Sequence, residues 1–260
     1  MTYFALGYWV LGLALGVSAS GALIGLACIR QSTLSVTARF RLVWQAAAAV
    51  SIGSVGIWLA MYVTMLGVGV PRGALSYDLP RTAAAALLAG ASIMAGLLAA
   101  GKTLHPVRLA GGGVLAGLGI GLMHYLALTA IQVQGSVTIN ALSAIAVIVL
   151  AIVIATATLW ATLRLRSLAA LTGVAVAFAL ATAGMHYLGL AGVRLHLDSA
   201  APRPSGEDLF TLFVPVFVLG TLSLAVPITA VLVAPDRSTT VRPGRRLSDP
   251  TDDPGRQLVS

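Results

Sequence analysis

The chain has 260 residues, 58% of them hydrophobic and only 9% charged, with a mean hydropathy of +0.95. A soluble domain carries roughly 25% charged residues, so this chain lacks the polar surface of a water-soluble globule and reads as an all-α membrane protein. Its formal charge of +8 lies in the connections and not in a basic, aromatic-interleaved domain, which excludes a nucleic-acid partner, and the lone Cys28 excludes an intramolecular disulfide or a multi-cysteine metal site.

About 20 apolar residues of helix span a bilayer core. On that measure the chain contains seven transmembrane helices, at about 5–28, 43–68, 82–101, 107–131, 139–163, 168–193 and 209–234. The runs are continuous and lack the alternation of a barrel. The leader Met1-Thr2-Tyr3 carries no positive side chain, and the first run continues to Cys28 before Arg30. That order predicts a retained span and not a cleaved signal.

The connections after spans 1, 3 and 5 and the segment after span 7 hold twelve of the sixteen basic residues, and the other side holds Arg72, Arg81, Arg194 and Arg203. The positive-inside rule therefore predicts a multi-pass protein of the bacterial plasma membrane with its N-terminus outside and its C-terminus in the cytoplasm. Tyr8, Trp9 and Tyr77 are expected as aromatic-belt anchors. The connection at 194–208, with Pro202, Pro204 and Gly206, is expected to be a solvated loop. Residues 1–235 read as one membrane domain. Residues 236–260 read as a disordered cytoplasmic tail, too short and polar to be an output domain.

One pattern interrupts the apolar runs. Met123-His124-Tyr125 in span 4 returns as Met185-His186-Tyr187 in span 6, and Ala60-Met61-Tyr62 in span 2 is a degenerate version. Met61 and His124 are 63 positions apart, and His124 and His186 are 62 apart. The near-constant period predicts three two-helix repeats plus a final helix. Spans 2, 4 and 6 run in the same direction, so Met61, His124 and His186 fall at similar depth in the outer leaflet.

An ionisable residue inside a membrane helix is costly to bury and marks an ion, proton or ligand site. Imidazole suits copper, zinc and iron, and soft thioether sulfur favours copper. Met65 lies four residues after Met61 and shares its helix face. Met123 and Met185 directly precede the histidines, about 100° away around the helix; together with Met65 they rank behind His124, His186 and Met61 as donors. Tyr125 and Tyr187 are expected to orient the imidazoles through a phenol hydrogen bond. Gly53, Gly56, Gly117, Gly119, Gly121 and Gly184 are expected to let the helices approach closely. A single Met-His-Tyr reads as packing; two copies at a fixed period bring a ligand or metal site level with that reading. His105 and His196 fall in connections and are expected to be solvated. The spans contain no Asp, Glu or Lys, and no catalytic constellation appears, so the chain is not expected to be an enzyme.

These triplets, together with Gly56-Ile57-Trp58 and Tyr77-Asp78-Leu79-Pro80, resemble the MHYT domain, a bacterial integral-membrane sensor module. The resemblance covers about residues 4–235. It implies a copper ion, or another transition metal, held near the outer face. It implies a response to oxygen, carbon monoxide, nitric oxide or a redox signal, passed to cyclic-dinucleotide or kinase output. The chain departs from the pattern at Met61, which replaces a histidine, and at Leu128 and Leu190, where the family often has methionine. No output domain follows, so the signal would pass to a separate cytoplasmic partner. A metal-handling permease and a membrane scaffold without ligand are the alternatives.

Overall fold

The computed structural model describes residues 4–69, 75–165, 167–198, 200–202 and 204–233. The expected tail lies outside the described residues. Among the described residues, seven helical spans are long and apolar enough to cross a membrane. The first six are α1 (Trp9–Leu34), α2 (Ala38–Met65), α3 (Leu79–Ala100), α4 (Pro106–Thr129), α5 (Ala141–Arg164) and α6 (Leu168–Ala191). The seventh is divided into α7 (Leu209–Ser223) and α8 (Ala225–Val233). The division follows from Pro227, which has no N–H to give the carbonyl of Ser223 four residues earlier.

Several helices start before the predicted boundary because polar residues cap them. The Thr37 hydroxyl accepts the N–H of Phe40 at 3.3 Å, so α2 begins at Ala38 and not at 43. The Asp78 carboxylate accepts the N–H of Arg81 at 2.9 Å with Pro80 in the first turn, so α3 begins at Leu79 and not at 82. Asn140 and Ser167 cap α5 and α6 in the same way. At its far end, α1 continues past Arg30 to Leu34, beyond the apolar run that marked its predicted end at 28.

Each of α1 to α6 packs against the next, and α6 packs back on α1, closing a ring. α7 lies outside the ring against α2, and α8 lies against α1. Apolar side chains fill the interior, among them Leu26, Leu59, Ala85, Val147 and Leu171. Others, such as Leu122, Leu142, Leu180 and Leu232, cover the outside, as lipid requires. Gly53 lets α2 approach α3: a Cβ there would sit 2.5 Å from the Ala89 carbonyl oxygen. Gly184, expected to pack in the same way, is exposed and meets nothing.

The middle of α2, Val50–Leu59, is wound as a π-helix. Its i→i+5 bonding changes the phase of the helix just before Met61. Trp58 near its end and Met61, Tyr62 and Met65 beyond it share one inward face.

All four strands lie at one end of the ring, here called the sheet end. β1 (Leu75–Tyr77) pairs antiparallel with β2 (Ile131–Val133), placing Tyr77 opposite Ile131. β3 (Gly135–Ile139) pairs antiparallel with β4 (Val193–Leu197). The expected solvated loop at 194–208 is thus corrected. Its first residues form β4, and Glu207 exchanges backbone hydrogen bonds with Tyr77 at 2.9 and 3.1 Å. Backbone groups at a membrane boundary need partners, and these short ladders supply them.

Candidate functional site

α2, α4 and α6 alternate around the ring, so residues facing inward from these helices meet on its axis. Just below the sheet end they enclose a cavity of about 40 Å³. α2 contributes Trp58, Met61, Tyr62 and Met65; α4 contributes His124, Ala127 and Leu128; α6 contributes His186. Tyr77 and Ile131, paired between β1 and β2, line the same cavity together with Thr82 of α3. At roughly 10–15 Å³ of such volume per water, the space suits an ion with a small ligand.

The two imidazoles are fully withdrawn from the surface, with 0% exposure for His124 and 2% for His186. Their ring centres are 5.5 Å apart and their planes cross at 82°. An imidazole nitrogen bonds a metal at about 2.0–2.1 Å, so two imidazoles on one ion put their ring centres roughly 4.5–6.5 Å apart. The observed spacing falls in that range. None of the four ring nitrogens has a hydrogen-bond partner among the described residues. An unpaired buried polar group costs about 1–3 kcal/mol, a cost these nitrogens bear as they stand.

The nitrogen and sulfur side chains lining the cavity are two imidazoles and two thioethers. Among the described residues no group of three or more His, Cys, Asp or Glu could hold a metal ion. A shared ion would therefore need sulfur from Met61 or Met65, which line the cavity one helical turn apart. Soft sulfur beside imidazole fits copper better than magnesium or calcium, which take oxygen.

The other sequence candidates lie elsewhere. Met185 lines a separate apolar cavity deeper in the ring, with Ile120, Ala151 and Phe178. Met123 is fully buried in the apolar core. Tyr125 and Tyr187 flank the histidines, with ring centres 5.3 and 5.8 Å from His124 and His186. They do not donate to the imidazoles as expected, because every imidazole nitrogen is without a partner. His105 and His196 are exposed.

Gly189 of α6 packs against His124. A Cβ at this position would collide with Nε2 of the imidazole. Tyr77 is a further correction: it is 3% exposed and meets Tyr62 edge to face at 5.8 Å, where a belt anchor was expected. Burial, followed by the neighbouring Tyr62 and Asp208, pushes the Tyr77 phenol well above its usual range, so it stays protonated. Trp58, Tyr62, Met61 and Met65 follow i, i+3, i+4, i+7 spacing, a one-face signal readable in the sequence. Tyr77 had no such signal, because a strand pairing sets its place.

Residues 117–175 match the MHYT family model, described as a bacterial signalling protein N-terminal repeat. The match includes His124 and ends before His186. The bifunctional diguanylate cyclase/cyclic di-GMP phosphodiesterase MucR of Pseudomonas aeruginosa is 33% identical to the chain over 180 residues. The aligned part is 66% of this chain and 26% of MucR, so the chain spans about a quarter of that relative. No solved structure matches the chain.

Proposed function

Since this chain belongs to the MHYT family of bacterial membrane signalling proteins, we propose that it is a sensor that holds a copper ion between α2, α4 and α6. His124 and His186 are the principal ligands, and Met61 and Met65 complete the set. The convergence of two fully buried, unpartnered imidazoles on one cavity lined by two thioethers carries this reading. A bound copper ion would supply reversible one-electron chemistry and an affinity for small diatomic ligands.

The chain's own residues supply the rest. Gly189 and the close-packed α6 backbone fix one edge of the His124 ring. Tyr77 and Ile131 close the cavity at the sheet end. The sheet end lies outside in this reading, in accord with the distribution of arginines. A signal of oxygen, carbon monoxide, nitric oxide or redox state is registered there and passed through the ring to a cytoplasmic signalling partner. A permease needs donors at several depths. The next cavity along the ring is lined chiefly by apolar side chains, which favours a sensor over a path.

Metal analysis of purified wild type beside the His124→Ala/His186→Ala variant tests this function. Copper in the wild type and its loss from the variant is the expected result; equal copper in both sinks the site.

A further inference from the structure

Besides Thr82, whose hydroxyl donates to the Asp78 carbonyl, two polar side chains in the cavity have no role in the ligand set. Tyr62 follows Met61 on α2, and Tyr77 ends β1. They are 6% and 3% exposed, both line the cavity with the histidines, and neither hydroxyl has a hydrogen-bond partner among the described residues. Their positions are held by neighbouring aromatic and strand contacts. Trp58 stacks on Tyr62 at 5.6 Å with the planes 19° apart. The Tyr77 main chain is tied to Glu207 and stands opposite Ile131 of β2.

The chemistry of these groups differs from that of the ligands. Thioethers and metal-binding imidazole nitrogens offer lone pairs, whereas a protonated phenol offers a hydrogen. An ion satisfied by His124, His186, Met61 and Met65 leaves both phenols unpaired, at the cost that falls on any buried donor. An occupant that accepts hydrogen bonds would satisfy them. The cavity of about 40 Å³ limits that occupant to a few heavy atoms.

We propose that Tyr62 and Tyr77 form a hydrogen-bond-donating wall that selects a small acceptor ligand, an anion or oxygen donor of azide size or smaller, over a weak acceptor such as carbon monoxide. The proposal rests on the copper reading and adds to it a rule for the second ligand. In this arrangement the two tyrosines are specificity residues and do not bind the metal.

The test compares copper-loaded wild type, Tyr62→Phe and Tyr77→Phe. Copper content is measured on every sample. Azide affinity is read from charge-transfer absorption of the oxidised protein, and carbon monoxide affinity from the infrared stretch of the reduced protein. Copper content and carbon monoxide affinity are expected to match wild type, while azide binds about 10- to 100-fold more weakly in each variant, as expected for a lost hydrogen bond to a charged group. Unchanged azide affinity with copper retained overturns the proposal. Equal weakening of both ligands also overturns it, because that pattern reports lost packing. Copper lost from the Phe variants makes the phenols part of the metal's hold and overturns it too. A wild type that takes up no copper removes the metal reading and the proposal together, and the copper measurement identifies that case.

Discussion

Gly189 on α6 abuts the Nε2 edge of His124 on α4, so closely that a methyl group added at Gly189 would collide with that nitrogen. The helices cannot separate freely to make room, because α6 also closes the ring against α1. Gly189→Ala is therefore expected to tilt the His124 imidazole away from His186. Groups that orient a metal-binding histidine typically contribute about 10- to 100-fold to affinity. A copper titration of this variant should show a loss of that order, while Gly184→Ala, at a position that meets nothing, should bind as wild type does.

The four methionines near the histidines should separate into two classes. Met61 and Met65 line the histidine cavity; Met185 lines another, and Met123 is buried in the core. Methionine-to-leucine changes conserve volume and cost less than about 1.5 kcal/mol, so folding survives in each case. Met61→Leu/Met65→Leu should weaken copper binding. Met123→Leu/Met185→Leu should leave it as in wild type, as judged by competition with a copper chelator.

The roof of the cavity depends on the cap of α3. Asp78 accepts the Arg81 N–H, and its own N–H donates to the Ala130 carbonyl, directly beside Tyr77. Asp78→Ala should cost about 0.5–2 kcal/mol, measured as a lower unfolding midpoint in detergent. Asp78→Asn retains an N-cap acceptor and should recover most of it. The accompanying Asp78–Arg81 ion pair, 3.9 Å long with Arg81 53% exposed, adds little because solvent screens it.

Orientation is testable by labelling. Ser136 on β3 and Thr103 between α3 and α4 are exposed at opposite ends of the ring, and the native Cys28 is buried. With the sheet end outside, Ser136→Cys should react with an impermeant maleimide on intact cells. Thr103→Cys should react only after permeabilisation. The reverse pattern contradicts the proposed orientation.

The seven spans were legible because long apolar runs have no other stable fate in this composition. The histidine pair was legible because imidazole in such a run is costly without a purpose. The rest depended on contacts distant in sequence. Tyr77 looked like a boundary aromatic, and only its pairing with Ile131 and its bonds to Glu207 turn it into the cavity. The π-wound turns at Val50–Leu59 carry no residue type that announces them, yet they change the phase of the helix just before Met61 and Tyr62. Helix starts shifted where Thr37 and Asp78 act as caps, a local chemistry that hydropathy does not count.

The most direct test of the proposed copper centre is X-ray absorption at the copper edge of the loaded protein. Two imidazole nitrogens with their outer-ring scattering are expected, together with a sulfur shell that weakens in Met61→Leu/Met65→Leu. A nitrogen and oxygen shell without sulfur, unchanged by His124→Ala/His186→Ala, would contradict the proposed centre.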